Sequence, residues 1–278
     1  MGTEKRERQK ANKRAREAEL EAAAARERRI RFLRNVVLLV IAIVVVAFLM
    51  SALSGCSKDD DPKESGGKTT TTAGSLPGKI LDGCPPKGGV DTPVIDFATA
   101  PPDDCVDPDK TYTATFTTSK GDIVVELDTA KTPGTTNAFV FLARYGFYDG
   151  TALFRTEAQT GIIQGGSPHT QDNTDPGAGF TIKDEGQPFT ADDYGPGTLA
   201  MARTGAPDSA SGQFFFLAND GARYLGDPDQ IGKDAGSYVV FGKVTKGLEV
   251  LQAIAALDDG SGVPSEKVTI EKVTVAES

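Results

Sequence analysis

Met201-Ala202-Arg203-Thr204-Gly205-Ala206-Pro207-Asp208-Ser209-Ala210-Ser211-Gly212-Gln213-Phe214-Phe215-Phe216 is a loop of small, turn-forming residues that runs straight into a glutamine and three phenylalanines. Side chains alternate between the two faces of a strand, so Phe214 and Phe216 are expected in a core and Phe215 on the opposite face. Upstream stand Leu153-Phe154-Arg155 and Gly161-Ile162-Ile163-Gln164-Gly165-Gly166. These stretches bring one guanidinium, two side-chain amides and several large apolar groups into one region, a set suited to gripping a peptide.

The flanking sequence is rich in strand signals. Thr111–Thr118 alternates Tyr112, Ala114 and Phe116 with threonines, and Asp122–Asp128 follows after Ser119-Lys120-Gly121, which predicts a hairpin. Pro133 opens a helical run with Phe139, Leu142 and Ala143 on one face and Gly146 as its stop. Further strands are predicted at Ile162–Gln164, Gly197–Ala202, Gln213–Leu217, Tyr238–Val244 and Lys267–Val275, with a second short helix at Gly247–Leu257. Many short strands with two helices predict a mainly β fold, a closed antiparallel barrel with capping helices.

Composition excludes several classes of function. The chain has 278 residues and a net charge of −9. Residues 1–35 carry twelve Lys/Arg and six Asp/Glu, a net of +6, so the remainder carries −15. An acidic body argues against nucleic acid, whose binding rests on phosphate neutralisation. One histidine and three scattered cysteines do not make a common zinc site, and neither a metal nor a cofactor is expected. His169 lies in a loop with no evident partner and is read as a plain loop residue, which argues against Ser-His-Asp and Cys-His chemistry.

The first 83 residues read as an address. Val36–Leu53 contains no charge, and at 1.5 Å per residue such a helix is roughly 27 Å long, close to a bilayer core of ~30 Å. Arg28, Arg29, Arg31 and Arg34 precede it and Asp59, Asp60 and Asp61 follow, which predicts a cytoplasmic start and an extracytoplasmic body at the cell membrane. Residues 1–35 thus form a basic segment, 36–56 a membrane or signal segment, 57–83 a flexible linker, 84–109 a Pro-rich segment and 110–278 the main domain. Leu53-Ser54-Gly55-Cys56 resembles the lipobox of bacterial lipoproteins, which makes Cys56 a candidate lipidation site; a retained transmembrane anchor is the competing reading. With Cys56 lipidated, Cys84 and Cys105 are left as a pair in an oxidising compartment. Their disulfide would close a loop of about 20 residues, worth roughly 3 kcal/mol; two free thiols are the alternative.

The order of segments resembles the cyclophilin family of peptidyl-prolyl cis-trans isomerases over about residues 110–276, through FR at 154–155, IIQGG at 162–166, GTLAMAR at 197–203, SGQFFF at 211–216 and YVVFGKV at 238–244. The resemblance implies an eight-stranded β-barrel capped by two helices, a monomeric catalytic domain, and isomerisation of Pro-containing segments of exported proteins. It implies that Arg155 and Gln164 are catalytic, Gln164 helping to position the substrate backbone and the arginine. It further implies that Ala202 and Arg203 bind the peptide through backbone groups, that Gln213 lines the groove, and that Phe215, Leu225 and Ile162 wall a proline pocket. Phe154 replaces a frequent histidine, and Tyr238 a pocket histidine. Tyr224 stands where many members have tryptophan, which implies weaker cyclosporin binding. The stretch from Arg155 to Gln164 is one residue longer than usual, so the family's pocket phenylalanine falls on Gly161, or on Ile162 if the gap moves. A non-catalytic module that binds proline segments is the alternative function.

Overall fold

The alternation in Tyr112–Thr118 and Gly121–Leu127 becomes the hairpin β1–β2, with Tyr112, Ala114 and Phe116 buried opposite Val125 and Ile123 and the threonines between them turned outward. The structure is a computed structural model that describes residues 83–278. The predicted membrane segment, Cys56 and nearly all of the linker lie outside the described residues. Among the described residues no helix is long and apolar enough to cross a membrane.

Six further strands follow: β3 (Arg155–Glu157), β4 (Ile162–Gly165), β5 (Thr198–Met201), β6 (Phe214–Leu217), β7 (Val240–Lys246) and β8 (Ile270–Glu277). The helices are α1 (Pro133–Arg144), the one-turn α2 (Pro228–Ile231) and α3 (Leu248–Ala255). The strands pair antiparallel in the order β3-β4-β6-β5-β7-β2-β1-β8. The expectation of a closed barrel is corrected: this is a curled half-barrel whose end strands β3 and β8 do not pair with each other. β3 has only three residues, too few to run along β8. The seam is held ahead of β3 and at the start of β8, where Leu153 N–H donates to the Val268 carbonyl at 2.9 Å and Ile270 N–H to the Thr151 carbonyl at 2.8 Å.

The curled sheet wraps an aromatic core. Phe116, Phe214 and Phe216 from the sheet meet Phe139 of α1, with ring centroids 5.1–6.5 Å apart in tilted or edge-on contacts. α1 starts at Pro133, and the Glu185 carboxylate accepts from the Gly134 and Thr135 N–H groups at its positive end. It stops at Gly146, whose φ of +69° permits the Schellman bonds from Gly146 N–H to Ala143 O and from Phe147 N–H to Leu142 O.

α1 is buried all round from Thr135 to Arg144, rather than on the single face predicted. Residues 83–106 cover its outer side: Phe97 packs 5.1 Å from the Phe141 ring and 5.6 Å from Tyr145, and Val94 N–H donates to the Tyr145 carbonyl. A disulfide joins Cys84 to Cys105 and closes this cover. Glu277 accepts from Lys87 of the cover, from Lys110 and from the buried Arg144 of α1. These cations hold its carboxyl down at about 2.

His169 is not the partnerless loop residue the sequence suggested. Its Nδ1 lies 3.1 Å from an Asp175 oxygen and its Nε2 3.1 Å from an Asp96 oxygen, so it ties its own loop to the cover. Asp96 is invisible as a partner in sequence because it is 73 residues away, and Asp175, six residues on, lies in a loop without a periodic pattern.

Candidate functional site

The site grows from the register of three short strands on the outer face of the sheet. Arg155 of β3 stands opposite Gln164 of β4, and Gln164 stands opposite Phe215 of β6. Paired residues share a face, so Arg155, Gln164 and Phe215 form one row across the sheet. The next row along is Glu157, Ile162 and Leu217. The turn Ala158-Gln159-Thr160-Gly161 joins β3 to β4 and keeps Arg155 in register with Gln164. Gly161 has φ +72°, and a Cβ there would meet Asn219 at 2.7 Å. No pocket side chain fits at Gly161, and the wall falls to Ile162, which is buried and lines the cavity.

That cavity, of about 480 Å³, is lined by Arg155, Ile162, Gln164, Asn173, Ala202, Arg203, Phe215, Tyr224, Leu225 and Tyr238. The structure therefore brings together every groove residue expected from sequence except Gln213. Gln213 lines the neighbouring cavity, of about 560 Å³, and reaches the first through its side chain. Asn173 and Glu157 were not anticipated. Asn173 lies in a polar loop without a pattern, whereas Glu157 was within reach of period-two reasoning, two residues beyond Arg155 on one strand face.

A chain of hydrogen bonds crosses the floor. Arg155 Nη1 donates to Gln164 Oε1 at 2.9 Å, and Gln164 Nε2 donates to Gln213 Oε1 at 2.8 Å and to Asn173 Oδ1 at 3.0 Å. On its other side, Arg155 donates from Nε and Nη2 to Glu157 Oε1, the first at 3.0 Å. Thr160 Oγ1 donates to Glu157 Oε2 at 2.9 Å. Gln164 is almost fully buried while the Arg155 side chain is about a third exposed, so the guanidinium reaches the solvent side of a rigid amide relay.

The apolar wall is a second, smaller cluster on the outer face of β6. Phe215, Ile162, Leu225 and Ala200 belong to it, with Tyr224 and Tyr238 packed at its edge. Phe215 and Tyr238 meet edge-on at 5.6 Å, and the Tyr194 hydroxyl donates to the Tyr238 carbonyl at 2.7 Å. Burial, and then the nearby Glu157 carboxylate, raise the Tyr224 hydroxyl above its ordinary range. Ala202 N–H donates to the Gln213 carbonyl, but the Ala202 carbonyl and the Arg203 N–H have no partner among the described residues. The Arg203 guanidinium bonds the Ser237 and Ala206 carbonyls and lies 5.9 Å from the Tyr238 ring, so its side chain holds the rim.

Residues 113–275 match the family model described as cyclophilin type peptidyl-prolyl cis-trans isomerase/CLD. The chain is 36% identical over 165 residues to a peptidyl-prolyl cis-trans isomerase of Streptomyces antibioticus, a match covering 59% of this chain and 95% of that one. It is 37% identical over 172 residues to peptidyl-prolyl cis-trans isomerase B of Escherichia coli (strain K12), covering 59% and 99%. A crystal structure of a cyclophilin type peptidyl-prolyl cis-trans isomerase from Cryptosporidium parvum matches with a TM-score of 0.50 at 25% identity, over 60% of this chain and 98% of that one.

Proposed function

The chain belongs to the cyclophilin-type peptidyl-prolyl cis-trans isomerases, and from that premise we propose that it isomerises prolyl bonds of exported proteins at the outer face of a membrane. The observation that carries the assignment to this groove is the polar row Arg155–Gln164–Gln213 set against the apolar wall of Ile162, Phe215 and Leu225.

The uncatalysed reaction takes tens to hundreds of seconds over a barrier of roughly 18–20 kcal/mol. A turnover on the order of 10–1,000 per second requires about 4–7 kcal/mol of transition-state stabilisation. Twisting the amide breaks its resonance: the prolyl nitrogen becomes pyramidal and accepts a hydrogen bond, while the carbonyl loses polarity. Proline seats on Phe215 beside Ile162 and Leu225, where the less polar twisted form is favoured. The free Ala202 carbonyl and Arg203 N–H bind the extended backbone of the substrate. Arg155 donates toward the prolyl nitrogen, and a hydrogen bond from a charged donor supplies about 1.5–3 kcal/mol. Gln164 orients the guanidinium, and Gln213 orients Gln164. No group on this route gains or loses a proton for good.

The location rests on the charge-free run Val36–Leu53 with arginines before and aspartates after it, and on the Cys84–Cys105 disulfide, a bond that persists in oxidising compartments. Either a lipid on Cys56 or a retained helix serves as the anchor; mass spectrometry of the mature N-terminus separates them. The enzymatic assignment is tested by the rate of cis-to-trans conversion of an Ala-Pro peptide. Arg155→Ala is expected to lower kcat/KM by roughly 10- to 150-fold, the equivalent of one charged hydrogen bond. An unchanged rate removes Arg155 from the mechanism.

A further inference from the structure

Arg155 is held on two sides. A guanidinium carries five N–H donors in a fixed plane. Gln164 Oε1 takes one from Nη1, and Glu157 Oε1 takes those of Nε and one of Nη2. Two N–H groups remain, one on each Nη, for the substrate. Thr160 Oγ1 in turn donates to the second Glu157 oxygen at 2.9 Å, so the carboxylate is itself braced by the turn that ends at Gly161. The shared strand face of β3 puts Glu157 beside Arg155, and the longer turn supplies the hydroxyl that holds it.

We infer that Glu157 is a positioning residue for the isomerisation: it fixes the plane of the Arg155 guanidinium so that its two free N–H groups point into the groove. The inference rests on Arg155 acting as the donor to the twisted amide. With one flexible side chain bonded only to Gln164, the guanidinium would swing about its Cδ–Nε bond and meet the transition state less often. A side-on carboxylate removes that freedom. Ground-state binding, carried by the Ala202–Arg203 backbone and by Phe215, does not involve Glu157, so its loss falls on kcat rather than on KM.

The test uses the full chain and an Ala-Pro peptide, with kcat and KM measured separately. Glu157→Ala is expected to lower kcat about tenfold with KM within about twofold, on the scale of one charge-assisted contact to a partly exposed group. Glu157→Gln keeps an acceptor for Nε and Nη2 and is expected to restore at least half of the wild-type kcat. Thr160→Val, which removes only the brace, is expected to lower kcat about twofold through loss of a single neutral hydrogen bond. If Arg155→Ala lowers activity as expected while Glu157→Ala leaves kcat unchanged, the positioning role is wrong and the Arg155 mechanism stands. If Arg155→Ala itself has no effect, the mechanism fails first. A rise in kcat in Glu157→Ala would also overturn the inference, because it would mean that the carboxylate weakens the guanidinium as a donor. Should Glu157→Ala not fold, Glu157→Gln and Thr160→Val decide: equal losses in kcat and KM for Thr160→Val, or no rescue in Glu157→Gln, count against it.

Discussion

Phe216 and Phe215 are adjacent on β6, both almost fully buried, and sit in opposite kinds of place. Phe216 faces inward with Phe214, and the Phe116 and Phe214 rings meet it edge-on in the main core cluster. Phe215 faces outward into the smaller cluster, with Phe189, Tyr194, Ala222 and Leu225 from short turns and the Tyr238 ring edge-on beside it. The inner face is sealed by a twelve-residue helix that is itself covered by residues 83–106. The outer face is roofed by short turns and 3-10 segments that leave a cavity of about 480 Å³. Burial therefore does not separate core from site in this protein. What covers each face does.

The sharpest way to break this comparison is to make the same substitution at both positions. Phe216→Ala empties a sealed site, and a loss of about 3–5 kcal/mol is expected in denaturant unfolding, with the activity of the remaining folded molecules largely kept. Phe215→Ala is expected to cost less stability, about 2 kcal/mol, because its ring borders a cavity that already exists. It should instead lower kcat/KM by roughly 10- to 150-fold, the worth of one large apolar contact with substrate. Equal stability losses with equal activities would erase the distinction between the faces.

The smallest expected effect lies at the rim, where His169 joins its loop to Asp96 of the cover. Burial alone would lower its pKa, but the hydrogen bonds from Asp175 and Asp96 outweigh that and the net shift is upward. A pKa raised on folding stabilises the protonated, folded form. The contribution is thus complete below the unfolded value of about 6.5 and is lost as pH rises through the higher folded value. Thermal melts of the wild type and of His169→Gln should differ by on the order of 2–4 °C at pH 5.5 and converge toward pH 9. A difference that grows with pH would show that the neutral imidazole is the form that holds the rim.

Much of the site was legible before the fold was known, because the motifs that carry it stand in the order that the family resemblance rests on. The opposite orientations of Phe214, Phe215 and Phe216 follow from alternation alone, and the structure separates them in that way. The β1–β2 hairpin and the extent of α1 follow from threonine alternation, Pro133 and Gly146. β3 was missed because Arg-Thr-Glu is short and polar, without an apolar face to announce a strand. With β3 missed, the i, i+2 relation of Arg155 and Glu157 was not drawn, and the choice between Gly161 and Ile162 stayed open until the positive φ of Gly161 and the nearness of Asn219 decided it.

The sequence by itself determined the β1–β2 hairpin, the start and stop of α1 and the opposite orientations of Phe214, Phe215 and Phe216, because side-chain alternation and turn chemistry are local properties of the chain; the groove residues were legible only through the resemblance of the ordered motifs to a known family. Only the tertiary structure decided that the barrel stays open between β3 and β8, that residues 83–106 bury the outer side of α1, that His169 has two carboxylate partners, and that Glu157 grips Arg155. The open seam, the cover on α1 and the His169–Asp96 contact depend on packing across long separations that no local pattern contains, whereas the grip of Glu157 on Arg155, two residues away, depends on β3 forming at all.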